Sequence, residues 1–480
     1  MRPSFVGYDV EAYLIADNLY NSGDFALSQK PLMGLVYNGG VPGLHEKRYG
    51  RTGLLEPLLA LPFYVVGAVA DKLGHFRIPM GSVFLVLALG PMLAALCGAL
   101  VYLIAVRFYE RRNAVSISLI YSVGTMAFPY SSIRSETVLT ACFLTMLLGI
   151  VKYKHPTGNS GGGRTLSALL AGLGAGAMIA TKSYAILLAL PGIILFVAIY
   201  HKNKSKNHLF AFFLPVLIFG AVEAAYNAIR FGSPFNAGYP ATFGFDAVHL
   251  VGCIYVLFAS PAKCVFIFSP ILVAGLCAFK SFDGKNPLWS RFILAETLAL
   301  VFFISTFREP LLFADEIWGS RYLFPVISLW TIIAGAWLGE GKWRRLAVYV
   351  SGAAGFLVSL PGVLVRPEGL YAYSEALCAA PKYCRLLDWK MNAITVNMRL
   401  LLGSAPSFMD KWSHPWIWWI QVLRPWGANA VRSGEIIAAI TPGVRILAVL
   451  AALGCLIAAI IFFKSIVLEN YSGGSRNAVS

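Results

Sequence analysis

The sequence predicts an all-α polytopic membrane protein, and three observations predict it. The 480 residues are 58% hydrophobic and 13% charged, against about 25% charged in a soluble globular chain. Mean hydropathy is +0.68. Several apolar runs reach the roughly 17–25 residues that cross a bilayer as a helix. The formal net charge of +16 does not indicate nucleic acid, because no basic patch is interleaved with exposed aromatics. Lys and Arg instead collect in alternate loops, as they do on the cytoplasmic side of a membrane.

About eleven spans are predicted, at 79–106, 114–130, 136–151, 165–181, 183–200, 208–229, 264–280, 292–307, 322–338, 346–365 and 446–467. The run 54–70, LLEPLLALPFYVVGAVA, is a further candidate, but it is short and contains Glu56, Pro57 and Pro62. Counting it as a span would invert every later loop, so loop charge decides. If it does not span, one set of loops comprises 107–113, 152–164, 201–207, 280–291, 339–345 and the tail from Lys464. That set holds seventeen Lys and Arg, against six in the short loops of the other set. The rich set is expected in the cytoplasm, and 54–70 is expected to lie along the interface or re-enter.

The chain then organises into an extracytoplasmic loop (1–78), a helix bundle (79–365), an extracytoplasmic Trp-rich segment (366–445) and a last span with a cytoplasmic tail (446–480). Residues 11–21 suit an interfacial helix. Ala12, Tyr13, Ile15, Ala16, Leu19 and Tyr20 share one face; Glu11, Asp17, Asn18 and Asn21 share the other. The Trp-rich segment carries WSHPWIWWIQVLRPW, and tryptophan concentrates at membrane interfaces. It is expected to cap the outer surface. Cys378 and Cys384 in ALCAAPKYC could form a disulfide there. The remaining cysteines lie in or beside apolar runs, where a thiol usually packs. No signal peptide precedes the acidic start, whose carboxylates Asp9, Glu11, Asp17 and Asp24 are expected on the extracytoplasmic side. A segment placed outside normally follows a helix, so a first transmembrane helix upstream of Met1 is expected. The glycines of AGLGAGA (171–177) read as close helix packing.

GYDVEAYLIADNLYNSGDF resembles the first external loop of GT-C superfamily glycosyltransferases, which include protein O-mannosyltransferases and the aminoarabinose transferase of lipid A. RYGRTGLLEPLLALPFYVVG is similar to their membrane-parallel segment. SSIRSETVLTACF resembles the entry to their fourth helix, with Glu136 where Asp is more usual. FGSPFNAGY, LFASPAKCVFIFSP and WGSRYLFP resemble segments of bacterial members. The resemblance covers most of residues 5–340, and the absent first helix is its main departure.

The resemblance implies a membrane enzyme that moves a sugar from a polyprenyl-phosphate carrier to an acceptor on the extracytoplasmic face. Such a reaction asks for a carboxylate to take the acceptor's proton, for cations to stabilise the leaving phosphate, and for an apolar groove. Asp9 fits as the base, with an N-cap role as its plain alternative. Glu11 is the second candidate, on a different helix face, and otherwise a solvated charge. Glu136 would position the acceptor or a metal, or simply favour a helix N-terminus. Lys182 in TKSY, Arg321 and Tyr322 in WGSRYLFP, Arg134 and Arg230 are candidates for the donor phosphate; a snorkelling Lys or an interfacial Tyr is the alternative. His45, Lys47 and Arg48 could meet the acceptor, or form a solvated loop. Asp9, Glu136 and His45 carry atoms suited to a divalent ion, yet no spacing rule joins them. No nucleotide cofactor is expected, and sugar and acceptor stay open. A transporter or flippase of a lipid-linked sugar is the rival reading.

Overall fold

The computed structural model describes residues 7–28, 39–75, 80–131, 134–154, 161–182, 185–200, 206–238, 247–305, 318–364 and 392–401. The chain divides into two compact units, 1–415 and 416–480. The described residues all belong to the first. The span expected at 446–467, the cysteine pair at 378 and 384, and the tryptophans 412–426 lie outside them.

The elements follow the apolar runs. They are α1 (Gly7–Ser22), a two-residue antiparallel ladder of β1 (Val41–Pro42) and β2 (Arg48–Tyr49), α2 (Leu55–Leu73), α3 (Met80–Ala105), α4 (Arg111–Val123), α5 (Ala127–Tyr130), α6 (Arg134–Lys154) and α7 (Gly161–Ile179). Then come α8 (Ala185–Tyr200), α9 (Lys206–Phe231), α10 (Ala247–Phe258), α11 (Val265–Phe268), α12 (Ile271–Lys285), α13 (Pro287–Ser305), α14 (Phe324–Ala334), α15 (Lys342–Leu364) and α16 (Ala393–Leu401).

Among the described residues six helical stretches are long and apolar enough to cross a membrane: Gly81–Ala105, Glu136–Lys154, Lys206–Phe231, Pro287–Ser305, Arg321–Gly339 and Lys342–Leu364. Two of the eleven expected spans are broken instead. The run 114–130 splits into α4 and α5 at Gly124–Met126, and 264–280 splits into α11 and α12 at Ser269–Pro270. Proline lacks an N–H and pushes its predecessor out of helical geometry; Ser269 has φ −145° and ψ 73°. The two breaks face each other and satisfy each other, since the Met126 N–H donates to Ser269 Oγ at 3.1 Å. Helix α10 has no counterpart among the expected spans.

Close packing follows the small residues. A methyl group added at Gly172 or Gly176 would strike α9 backbone, and one at Gly174 would strike the α6 backbone. The AGLGAGA run therefore lets α7 sit between α6 and α9, as small residues do in membrane bundles. Helix α6 is the innermost span, with 83% of its apolar window buried against 22% for α9.

The bundle has two chemically different ends. At one, Phe108 packs on Phe282 and Trp289, at 5.6 and 5.8 Å between ring centroids. Lys154 lies over the Trp289 ring, Tyr153 bonds His208, and Glu340 pairs with Lys285 and Arg344. The described residues in and beside five of the Lys- and Arg-rich loops that alternation grouped together thus gather at a single end. Helix α2 stays at the opposite end. Its first residue, Leu55, donates its N–H to the Ala180 carbonyl just past α7. Asp71 near its end accepts from the N–H groups of Gly81 and Ser82 at the start of α3. Both ends of α2 are thereby pinned at one end of the bundle, and it does not run between the two.

Helix α1 departs from the expected interfacial helix. Val10 through Ala16 are all buried, Glu11 included, and the partly exposed residues begin at Asp17 among those described. The small residues Ala12 and Ala16 allow neighbouring segments to close over it. Tyr13 reaches Ser82 and stacks edge-on against Tyr64, and Asp17 accepts from the Tyr64 hydroxyl at 2.6 Å.

A candidate active site at one end of the bundle

The site is built around a short strap, residues 50–55, between β2 and α2. Its backbone groups are shared out among three helices. The Arg51 N–H donates to Glu11 Oε2 on α1 at 2.9 Å. The N–H groups of Gly53 and Leu55 donate to the carbonyls of Thr181 and Ala180, just past α7, at 2.8 and 3.0 Å. The Leu54 N–H donates to Glu223 Oε2 on α9 at 3.0 Å. The Gly50 and Thr52 carbonyls accept from Arg230 Nη1 at 2.6 and 3.2 Å. Glycine is required at 53, because a Cβ there would collide with the Ala180 carbonyl.

Lys182 follows the two carbonyls that the strap holds. It is buried and forms an ion pair with the equally buried Glu136 in the first turn of α6. Thr137, the next residue, donates its hydroxyl to the Tyr130 carbonyl, and the Tyr130 hydroxyl donates to the Trp318 carbonyl. This chain of contacts brings the 318–323 segment to the same end. There Arg321 is half-buried, lies 4.7 Å from the centre of the Tyr322 ring, and donates from Nη2 to the Tyr322 hydroxyl at 2.7 Å. Ser320 donates to the Lys263 carbonyl at 2.5 Å. Asn392 and Asn397, on and beside α16, donate to the carbonyls of Pro261 and Pro361, tying part of the 366–445 segment to this end.

The structure therefore brings Glu11, Lys182, Glu136 and Arg230 onto one connected framework, with Arg321 and Tyr322 reached through Tyr130. Asp9 and Arg134 stand in the first turns of α1 and α6; their side chains lie outside the described residues. Two expected environments need correction. Glu11 is not a solvated charge, because the strap covers it. Arg230 does not present its guanidinium to open space. It is 1% exposed, bound to two carbonyls and to Asn227 Oδ1 at 2.6 Å, 3.7 Å from Glu223, and stacked 3.8 Å from the Tyr226 ring centre.

The 43–48 hairpin is a separate feature. His45 is exposed at its tip, with Glu46, and both hold positive φ, 56° and 59°, a conformation that costs energy in residues other than glycine. Lys47 pairs with Asp24 at 2.5 Å, and Arg48 donates to the Gly39 and Gly40 carbonyls. Burial pushes the Asp24 carboxyl up, but hydrogen bonds from Lys47 and the Ala26 N–H outweigh it and hold the group below its ordinary range. Among the described residues no three His, Cys, Asp or Glu side chains gather as metal ligands.

Sequence reading passed over Glu223 and Glu296. Glu223 had a signal: it is an acid within an apolar helix, seven residues before Arg230 and on the same face. Glu296 lies within α13, fully buried, with neither carboxyl oxygen partnered.

Fold and site together define a polytopic all-helical membrane protein with a buried charge cluster at one end. No family model matches the chain, and no curated protein matches its sequence. Among solved structures it is similar to ArnT from Cupriavidus metallidurans in the apo state, with 17% identity and a TM-score of 0.45 over 84% of this chain and 67% of that one. It is similar to the same protein bound to undecaprenyl phosphate, with 16% identity and a TM-score of 0.41 over 90% and 75%. It is also similar to the oligosaccharyltransferase of Archaeoglobus fulgidus, with 12% identity and a TM-score of 0.39 over 78% and 55%. Likenesses at this level concern the general course of the helices and give no residue-by-residue correspondence.

Proposed function

We propose that the protein is a membrane glycosyltransferase that takes a sugar from a polyprenyl-phosphate carrier and passes it to an acceptor hydroxyl on the extracytoplasmic side. The observation that carries this reading is the convergence, at the end opposite the basic loops, of the α1 acidic segment, the Lys182–Glu136 pair and the Arg321 segment. The motif resemblance supports it. A pump or carrier is expected instead to line a path near the bilayer midplane with its charges.

In this reading Asp9 takes the proton as the acceptor oxygen attacks the anomeric carbon. The bond from that carbon to the phosphate oxygen breaks, and its electron pair leaves with the polyprenyl phosphate. Arg321 is a more accessible candidate cation for that phosphate than Lys182 or Arg230, because the residue is partly exposed where those two are buried, and a planar fork matches phosphate oxygens. Lys182 shares its charge with Glu136 and acts beside it. Displacement from the opposite face inverts the anomeric centre, by analogy with inverting glycosidases. The activated lipid supplies the driving force, so the reaction consumes no ATP.

The test is release of polyprenyl phosphate from a defined lipid-linked sugar in proteoliposomes, with and without candidate acceptors. Acceptor-dependent release supports transfer. Movement of intact donor between leaflets with no release supports the transporter instead.

A further inference from the structure

We propose that Arg230, with Asn227 and Glu223, is a positioning clamp for the reaction. It sets the strap, and through the strap it sets both Glu11 and Lys182. This rests on the glycosyltransferase reading for its chemistry but not for its geometry.

Gly50, Thr52, Gly53 and Leu54 of the six-residue strap are buried, and buried N–H and C=O groups need partners within the protein. Two strap N–H groups go to the end of α7, one to Glu11 and one to Glu223. The two outward carbonyls, Gly50 and Thr52, both go to one nitrogen of Arg230. The planar fork holds the two carbonyls on Nη1 and the amide oxygen on Nη2 at a fixed spacing, which the single ammonium of Lys does not reproduce. The fork is itself fixed: Asn227 accepts from Nη2, Glu223 supplies counter-charge, and the Tyr226 and Phe231 rings flank the guanidinium. Glu223 also accepts from Leu54, so the clamp closes on the strap from both sides. Both Nη groups are engaged and the guanidinium is 1% exposed between two rings; only the buried Nε–H has no partner. What Arg230 controls is register. If the strap slides, the Arg51 N–H leaves Glu11, and the Thr181 and Ala180 carbonyls that precede Lys182 lose their partners.

The test uses the full-length protein in detergent and in proteoliposomes. Arg230→Lys keeps the charge but not the fork. It should leave the thermal midpoint near that of the wild type while the amides of Arg51, Gly53, Leu54 and Leu55 exchange about tenfold faster, the scale of one lost charge-assisted hydrogen bond. In transfer assays kcat should fall about 10²-fold, as an ångström-scale displacement does, with the donor KM within about threefold. Asn227→Ala, a milder change, should give the same pattern at smaller size, and it decides the matter if Arg230→Lys fails to fold. Unchanged strap exchange, or a raised donor KM with unchanged kcat, would overturn the clamp; the latter would make Arg230 a phosphate ligand. Loosened strap amides in a protein whose wild type transfers no sugar would leave the clamp standing and defeat the reaction assigned to it.

Discussion

Lys182 and Glu136 form a buried pair whose value lies mostly in what happens when it is broken. Removing one partner leaves a charge in the interior with nothing to offset it, which costs about 3–5 kcal/mol. Replacing both with apolar residues of similar volume removes that penalty. Lys182→Met alone should therefore lower stability by that amount, and Lys182→Met with Glu136→Met should recover most of it, as read by denaturation in detergent. A double variant no more stable than the single one would mean that the pair is not coupled. Both residues were legible in the sequence, because a charge at the end of an apolar run stands out. The environment of Arg230 was not. Its partners Gly50 and Thr52 are about 180 residues away in the chain, and a contact of a side chain with distant backbone leaves no pattern in composition or spacing. The same limit hid the covering of Glu11: periodicity gave α1 two faces, while burial of the polar face depends on a strap that periodicity does not describe.

At the scale of elements, the strap and the helix ends it joins depend on one glycine. Gly53→Ala would drive a Cβ into the Ala180 carbonyl, backbone against backbone, which neither side relieves by a rotamer change. It should cost about 1–3 kcal/mol, the usual range for overpacking, and should raise exchange at the strap amides. Gly162→Ala, in the first turn of α7 where a Cβ meets nothing within 4 Å, should instead be neutral or stabilising by about 0.5–1 kcal/mol. Equal effects at the two glycines, measured by thermal denaturation, would contradict the close approach. Most helices were legible from apolar length alone. The breaks at 124–126 and 269–270 were less so, because two short helices in line read as one span. Pro270 was visible in the sequence, but its partner break could not be inferred without knowing that Met126 and Ser269 meet. Helix α2 was read as non-spanning from the charge count of later loops, with its shortness, its Glu56 and prolines and the motif resemblance in support, and the positions of its two ends agree with that reading.

For the molecule as a whole, loop charge divides the chain into two sets, and the described residues in and beside five of the basic loops lie at one end of the bundle. The positive-inside rule predicts that this end faces the cytoplasm. On a cysteine-depleted background, His45→Cys should react with an impermeant thiol reagent in intact cells. Lys285→Cys should react only after permeabilisation. The reverse pattern would place the charge cluster on the cytoplasmic side. We propose that this cluster performs glycosyl transfer with Asp9 as its base. The most direct measurement is acceptor-dependent release of polyprenyl phosphate by purified Asp9→Asn protein beside the wild type, with insertion and thermal midpoint checked in parallel. The variant should fold well and its transfer should be abolished, since an amide cannot accept the proton. Full transfer by that variant would contradict it.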